Sequence, residues 1–318
     1  MDQPDQDKTL ISIITGCYNE EENVELLRER IDSVMKDFPQ YRYELIYIDN
    51  HSQDRTVEKI KAMAAGDRRV KLIVNARNFG HIRSPFHAFL QARGAAVIMM
   101  ASDLQDPPEL IREFLQSWAQ GEKVVVAVKK QSLESPIMWI LRQIYYWLLF
   151  KIADVKVIQN YTGFGLYDRQ VVEIIRAMDD PYPYFRGIIA EIGFHAVEVP
   201  FVQPQRRQGI TKNNFYTLYD MAMLGITSHS KVPIRLATMG GFALALVSLT
   251  ISFAYLVLKL LFWDTFGMGM APVVIGVFFF GSIQLFFIGL LGEYVAAIHT
   301  QVMKRPHVVE QERVNFDD

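Results

Sequence analysis

The sequence predicts an α/β protein: a mostly parallel sheet with helices on both faces, joined to interfacial helices and a C-terminal hairpin of two transmembrane helices. Three observations predict it. Strand-like and helix-like patterns alternate from Leu10 to Val128. The strand-like runs are apolar almost throughout, as strands buried on both faces are. Two long stretches near the end, Leu236 to Leu258 and Thr265 to Gly292, carry no charge.

"LISIITGC" is the first strand. Asn19 then has the character of a helix N-cap, with Glu22 in capping-box position and Val24, Leu27, Ile31, Val34 and Phe38 at helical spacing. "YELIYID" is a second strand and "RTVEKIKAMA" the helix after it. "VKLIVN" and "HIRSPFHAFLQAR" make the next strand and helix. "AAVIMMA", "PPELIREFLQSWA" with prolines at its start, and "KVVVAV" complete the alternation. Beyond it, "SPIMWILRQIYYWLLFKIADV" sets Trp139, Tyr145, Tyr146 and Trp147 beside Arg142 and Lys151. That composition suits an amphipathic helix at headgroup depth, with an ordinary core helix as the alternative.

Crossing the hydrocarbon layer takes about 20 helical residues, and both uncharged stretches meet that length. Spans are expected at about 236–260 and 271–294. The linker "FWDTFGMGM" holds no Lys or Arg, whereas Lys231 and Arg235 precede the first span and Lys304 and Arg305 follow the second. The positive-inside rule then puts both termini in the cytoplasm, with Lys259 snorkelling at the far side. "MDQPDQDK" is acidic and lacks an apolar core, so no signal peptide is expected. The expected division is a cytoplasmic domain over 1–230, with interfacial segments near 130–160 and 205–230, two spans within 231–300, and a cytoplasmic tail over 301–318. Small residues in "GGFALALVSLT" leave a homo-oligomer packed through the spans open.

Lys and Arg number 33 against 35 Asp and Glu, a balance that gives no sign of a nucleic-acid partner. A single cysteine, Cys17, excludes an internal disulfide and reads as a buried, inert thiol in a reducing compartment. G-x-G-x-x-G, the P-loop, H-E-x-x-H and G-x-S-x-G are all missing. Ligands of open α/β sheets bind beyond the carboxyl ends of the strands. Here those ends carry Tyr18-Asn19-Glu20, Asp49, Arg77-Asn78 and Asp103 to Gln105, a rim dominated by carboxylates. Such a rim repels phosphates, but holds them through Mg²⁺ or Mn²⁺, which bridge carboxylates to phosphate oxygens. "SDLQD" therefore suggests a nucleotide-diphosphate ligand, with a plain helix cap ahead of Pro107-Pro108 as the alternative.

"TGCYNEEENV", "DNHSQDRT", "RNFG", "SDLQDPPE" and "RRQGITK", in this order and followed by two apolar stretches, resemble the family-2 glycosyltransferases that act on polyprenyl phosphates. The group includes dolichol-phosphate mannose synthase-like enzymes and bacterial undecaprenyl-phosphate glucosyltransferases of the GtrB type. The resemblance covers nearly the whole chain. It implies a GT-A type, Rossmann-like fold and inverting transfer of a sugar to a polyprenyl phosphate on the cytoplasmic face. Glucose from UDP-glucose is the expected donor sugar, with mannose, an aminosugar or an amino-arabinose derivative as alternatives. An inactive, membrane-anchored nucleotide-sugar-binding protein is the alternative from another class. A processive polysaccharide synthase is disfavoured, because neither "LRQIYYW" nor "QPQRRQG" matches Gln-x-x-Arg-Trp.

By the resemblance, Tyr18, Glu20 and Asn78 would line the nucleotide pocket, and Asp49 would contact base and ribose. Asp103 and Gln105 would ligate the metal. Arg206, Arg207, Gly209, Thr211 and Lys212 match the loop that closes over the phosphates, a solvated charged loop being the alternative. Lys129 and Arg142 would receive the lipid phosphate together with that loop. Four positions depart from the family's pattern. Gly16 stands for the usual Pro, Asn50 for the second Asp of Asp-Asp, and Ala101 for the first Asp of Asp-x-Asp. "GFG" (Gly163 to Gly165) replaces an acidic residue, Phe and Arg, and no role is carried there. With Ala101, the metal would rest on Asp103, Gln105, phosphate oxygens and water, with Asp106 helping from behind. The acceptor phosphate, with a second pKa near ~6, is mostly dianionic at neutral pH, so no general base is expected.

Overall fold

The apolar runs become strands β1 (Thr9–Cys17), β2 (Tyr41–Asp49), β3 (Val70–Asn75) and β4 (Ala96–Ala101), paired in parallel in the order β4-β1-β2-β3. The computed structural model describes residues 8–131, 158–204, 223, 232–262 and 270–316. The sheet continues through β5 (Val124–Gln131), β6 (Tyr161–Asp168), β7 (Ala196–Val202) and β8 (Glu310–Val314) in the order β7-β5-β6-β4-β1-β2-β3-β8. β6 is antiparallel to both β4 and β5, and β7 is parallel to β5. Only β6 and β8 therefore run against the other strands, and the sheet is mostly parallel, as expected. β5 does not follow β4 directly, because β6 lies between them.

Around the sheet pack α1 (Val24–Met35), α2 (Thr56–Gly66), α3 (Gly80–Gln91), α4 (Ile111–Ala119), α5 (Arg169–Met178) and α6 (Phe185–Ile192). Successive strand residues point to opposite faces, and both faces are buried. On one, Ile11, Ile13, Leu45, Tyr47 and Leu72 meet Leu27 and Ile31 of α1, Ile60 of α2 and Phe114 of α4. On the other, Ile14, Ile46, Ile48 and Ile73 meet Phe86 and Phe89 of α3, Val171 of α5 and Ile188 of α6. This double burial explains why the strands read as continuous apolar runs. The start of α1 differs from the expected N-cap. Asn19 takes a left-handed conformation (φ 57°), and its side chain accepts from the Gln53 amide at 2.8 Å, so the helix begins at Val24.

Two long helices follow, α7 (Val232–Leu261) and α8 (Met270–Val302). Within them Val232–Leu258 and Gly276–Val302 are long and apolar enough to cross a membrane. Their large side chains face outward: Phe242 is 78% exposed and Phe278 72%. A helix buried in a soluble core would hide these groups, so the pair has the surface of a lipid-facing hairpin.

The last residues are not merely a tail. β8 pairs antiparallel with β3, covering an edge that would otherwise stay unpaired. Asn315 donates to the carbonyls of Ala64 and Val70 at 2.8 Å each, and Lys61 pairs with Glu312 at 2.6 Å. The strand was missed because "EQERV" is mostly polar, and only its pairing makes it a strand. Just before it, Val308 is buried and His307 meets the Phe86 ring edge-on at 5.0 Å. His87 holds Glu310. Burial depresses the pKa of both His87 and His307, so each favours its neutral form when β8 is docked. A folded-state pKa below the unfolded value means protons favour the undocked form, and the contribution is lost as pH falls below the ordinary histidine range. Amide exchange over Val70–Asn75, corrected for intrinsic rate, should accelerate between about pH 7.5 and 5.5. Truncation after Arg305 should remove that protection at every pH.

Candidate active site

The carboxyl ends of β1 and β2 carry loops that are stitched together. The Asn19 amide donates to Ser52 Oγ at 2.9 Å, and the Glu20 amide donates to Thr56 Oγ1 at 2.8 Å. The Arg55 amide donates to the Glu21 carboxylate at 3.0 Å, and the Glu21 amide to Asp54 at 3.2 Å. Side chains thus replace the backbone ladder where the strands end, fixing both loops without a helix cap at Asn19. Tyr18 and Glu20 sit half-buried on this rim, and Glu20 accepts from Asn23 Nδ2 at 2.6 Å.

Asp49 lies beneath the rim rather than on it. It is 0% exposed, and its carboxylate accepts from the Ser52 amide at 2.9 Å and from the Ser52 hydroxyl. Burial raises its pKa, and the Ser52 hydrogen bonds work the other way. In this conformation Asp49 shapes the loop after β2 and does not face outward. Next to it, Asn50 uses its whole amide. Its Nδ2 donates to Asn78 Oδ1 at 2.9 Å and to the Gly80 carbonyl at 3.2 Å. Its Oδ1 accepts from the Phe79 amide at 2.8 Å and from Asn75 Nδ2 at 3.3 Å. Asn78 is exposed, with its oxygen turned inward to Asn50 and the Gly80 amide.

β4 ends in a tight turn with Leu104 left-handed at φ 59°. Ser102, Leu104 and Asp106 are buried, while Asp103 and Gln105 between them are half-exposed. The two expected metal ligands therefore share the outward side. Asp103 Oδ1 accepts from the Gln105 amide at 3.1 Å, which ties them further. Asp106 points inward and accepts from the Ala101 amide at 2.9 Å. Burial pushes its carboxyl up to about 6, Asp103 adds to the rise, and the Ala101 amide, Lys129 and Arg186 oppose it.

Among the described residues no three His, Cys, Asp or Glu side chains converge as a metal cage. One carboxylate and one amide oxygen on a shared face suit Mg²⁺ or Mn²⁺, which take one or two carboxylates and leave other positions to water and substrate phosphates. The donor set fits such an ion only when a substrate completes it. Lys129 is half-buried near the end of β5. Arg142, Arg206, Arg207, Gly209, Thr211 and Lys212, with the aromatic helix around Trp139, lie outside the described residues.

Two departures from the family's pattern have structural reasons. A Cβ on Gly16 would meet Pro85 Cγ of α3 at 2.9 Å, so proline on the helix is matched by glycine on the strand. A Cβ on Gly165 would meet the Val125 carbonyl at 2.5 Å, so β6 fits beside β5 only with glycine there. Cys17 is 2% exposed, and burial raises its pKa, as an inert core thiol requires. Ser52, Asp54 and Thr56 went unassigned although they stand inside "DNHSQDRT", and Arg186 belongs to none of the motifs.

Two stability predictions follow from this geometry. Gly16→Ala should cost about 1–3 kcal/mol, and Pro85→Ala in the same chain should recover part of it. Asn50→Asp, the family's usual residue, cannot donate to Asn78 and Gly80 and adds a charge beside buried Asp49. Its thermal midpoint in detergent should fall by at least about 3 °C.

The profile described as Glycosyl transferase family 2 matches residues 12–175. The SfII prophage-derived bactoprenol glucosyl transferase of Shigella flexneri is 31% identical over 300 residues, covering 94% of this chain and 96% of that one. A prophage bactoprenol glucosyl transferase homolog of Escherichia coli is also 31% identical, with 94% and 97% covered. The putative glycosyltransferase CsbB of Bacillus subtilis is 32% identical over 95% of this chain and 92% of its own. Among solved structures, a mannosyltransferase from Pyrobaculum calidifontis overlaps with TM-score 0.47 and 16% identity, over 95% of this chain and 89% of that one. With this sheet, these strand-end loops and matches that span nearly its whole length, the chain belongs to glycosyltransferase family 2.

Proposed function

We propose that the protein transfers glucose from UDP-glucose, with inversion, to undecaprenyl phosphate at the cytoplasmic membrane face. One observation carries the reading: the match to bactoprenol glucosyl transferases extends over 94% of the chain and so includes both apolar helices as well as the sheet. The site geometry supports it. Nucleotide-side groups (Tyr18, Glu20, Asn50, Asn78) stand at the ends of β1 to β3, the Asp103–Gln105 pair at β4, and Lys129 beyond β6 on β5.

A divalent cation held by Asp103 and Gln105 would offset the charge that develops on the departing diphosphate. Asp49 and Asn50 hold the loop under the nucleotide. Arg206 and Lys212 close over the phosphates, while Lys129, Arg142, Arg207 and Thr211 receive the acceptor phosphate. An acceptor oxygen forms the new bond to the anomeric carbon as the bond to the UDP oxygen breaks, and UDP leaves with the electron pair. No proton has to be removed, because the attacking phosphate is already ionised. One in-line displacement inverts the configuration.

Anchoring follows the same reading. The docking of β8 on β3 returns the chain to the catalytic domain after α8, which supports an even number of crossings and both termini in the cytoplasm. Lys304 and Arg305 just after the second span agree with that side. The outward-facing side chains of α7 and α8 leave room for lipid or for further copies of the chain.

The test is UDP release by the purified protein with UDP-glucose and undecaprenyl phosphate. Release should require both the lipid and Mn²⁺ or Mg²⁺, and a panel of nucleotide sugars identifies the sugar. Asp103→Ala should lower kcat/KM by at least about a hundredfold. Asp106→Asn keeps an oxygen for the Ala101 amide and should retain turnover within about tenfold. No release with any donor would instead support a binding protein that has lost its first metal carboxylate at Ala101. A loss of several orders of magnitude in Asp106→Asn, with metal binding intact, would mean that a general base is used.

A further inference from the structure

We infer that Arg186 is a phosphate-binding residue for the acceptor, facing Lys129 across the β6 end of the site. The assignment rests on the transfer reading above and adds a residue that lies past the family match at 12–175. β6 runs against its neighbours, so its first residues, Tyr161 and Thr162, arrive at the same sheet edge as the last residues of β4 and β5. Arg186 Nη2 donates to the Thr162 carbonyl at 3.4 Å, and the Lys129 amide donates to the Asn160 carbonyl at 3.2 Å. The two cations therefore flank the start of one strand.

The position of Arg186 is rigid. Its neighbour Phe185 packs against Phe86, Phe89 and Tyr167 with ring centroids 6.2, 5.2 and 5.2 Å apart. On the other side Gly187, Ile188 and Ile189 are buried. Arg186 is half-buried, and no ion pair among the described residues includes it. Its charge is felt nearby, since after burial it adds to the lowering of the His81 pKa and opposes the burial-driven rise at Tyr161. A half-buried guanidinium beside an acidic turn, with one weak carbonyl contact, has donors to spare for a planar or tetrahedral oxyanion. Structural arginines in this fold look different: Arg169 donates to the Gly94 and Ala92 carbonyls and pairs with Glu173.

Sheet order decides which phosphate it meets. The nucleotide groups lie at β1 to β3 and the metal pair at β4, so β6 and β5 are on the far side from the nucleotide. A cation there meets the phosphate that approaches the sugar, not the one that leaves with the nucleotide.

Steady-state kinetics of Arg186→Ala and Arg186→Lys in the full-length protein test this. Arg186→Ala should raise KM for undecaprenyl phosphate by about tenfold or more, with KM for UDP-glucose within about twofold of wild type. Arg186→Lys should recover part of the loss. UDP-glucose binding by Arg186→Ala, measured calorimetrically, should be unchanged and so report an intact fold. An unchanged acceptor KM, or a rise in donor KM instead, overturns the assignment. Loss of UDP-glucose binding would show that Arg186 supports the fold or the donor, and overturns it too. If wild type transfers no sugar to the lipid, the functional reading has failed rather than this residue.

Discussion

A parallel sheet gathers its ligands at the edge where this chain also gathers its carboxylates, and the two phosphate-bearing substrates proposed for it would repel each other and that edge. Glu20, Asp49, Asp54, Asp103 and Asp106 all belong to the ends of β1, β2 and β4 or the turns just after them. Nearly every feature of the site answers that accumulation of negative charge. Asp49 and Asp54 are taken up by Ser52 and Thr56, so they build loops and add little field to the pocket. Asp106 is turned inward onto a backbone amide. Asp103 stays half-exposed with the Gln105 side chain on its own side, an arrangement suited to a cation that a substrate brings to completion.

The same constraint orders the sheet from one side to the other. Side-chain amides gather at β2 and β3, where Asn50, Asn75 and Asn78 hold one another, which suits the uncharged nucleoside of the proposed donor. Past β4 the edge gains Lys129 and Arg186, in addition to Arg77 just after β3. The reversed strand β6 makes this possible. By running against β4 and β5 it brings its own first residues, which Arg186 contacts at Thr162, to the reactive edge, where a parallel strand would have delivered its start to the opposite edge. Gly165 is the local condition for that insertion, since any side chain there would strike the Val125 carbonyl.

The first five strands and four helices were legible because double burial writes itself as apolar runs and helical spacing, a local signal. The expectation for Asp103 and Gln105 comes from the family resemblance, and the turn leaves both half-exposed because alternate residues leaving a strand face the same way. What escaped was decided at long range. Asn19 looks like a cap until the Gln53 amide, more than 30 residues away, donates to its side chain. "EQERV" looks like a solvated tail until β3 pairs with it. Gly16 looks like a loss relative to proline until Pro85 occupies the space above it. Arg186 follows no motif, and only the arrival of α6 at the sheet edge gives it meaning.

β8 also bears on how the site meets the bilayer. A lipid-linked acceptor offers its phosphate at a fixed depth, so the sheet edge has to stand at a matching height. A catalytic domain joined to its spans only through the chain before α7 would pivot about a single attachment. Here the chain leaves α8, and Gln301 near its end donates to Asp180 at 2.8 Å, in the turn between α5 and α6. It then threads His307 against Phe86 and joins the far edge of the sheet at β3. The second apolar helix is thus tied to the side of the sheet that carries Arg186 and, through β8, to the β3 edge. Two attachments across the width of a sheet oppose rocking in a way that one cannot.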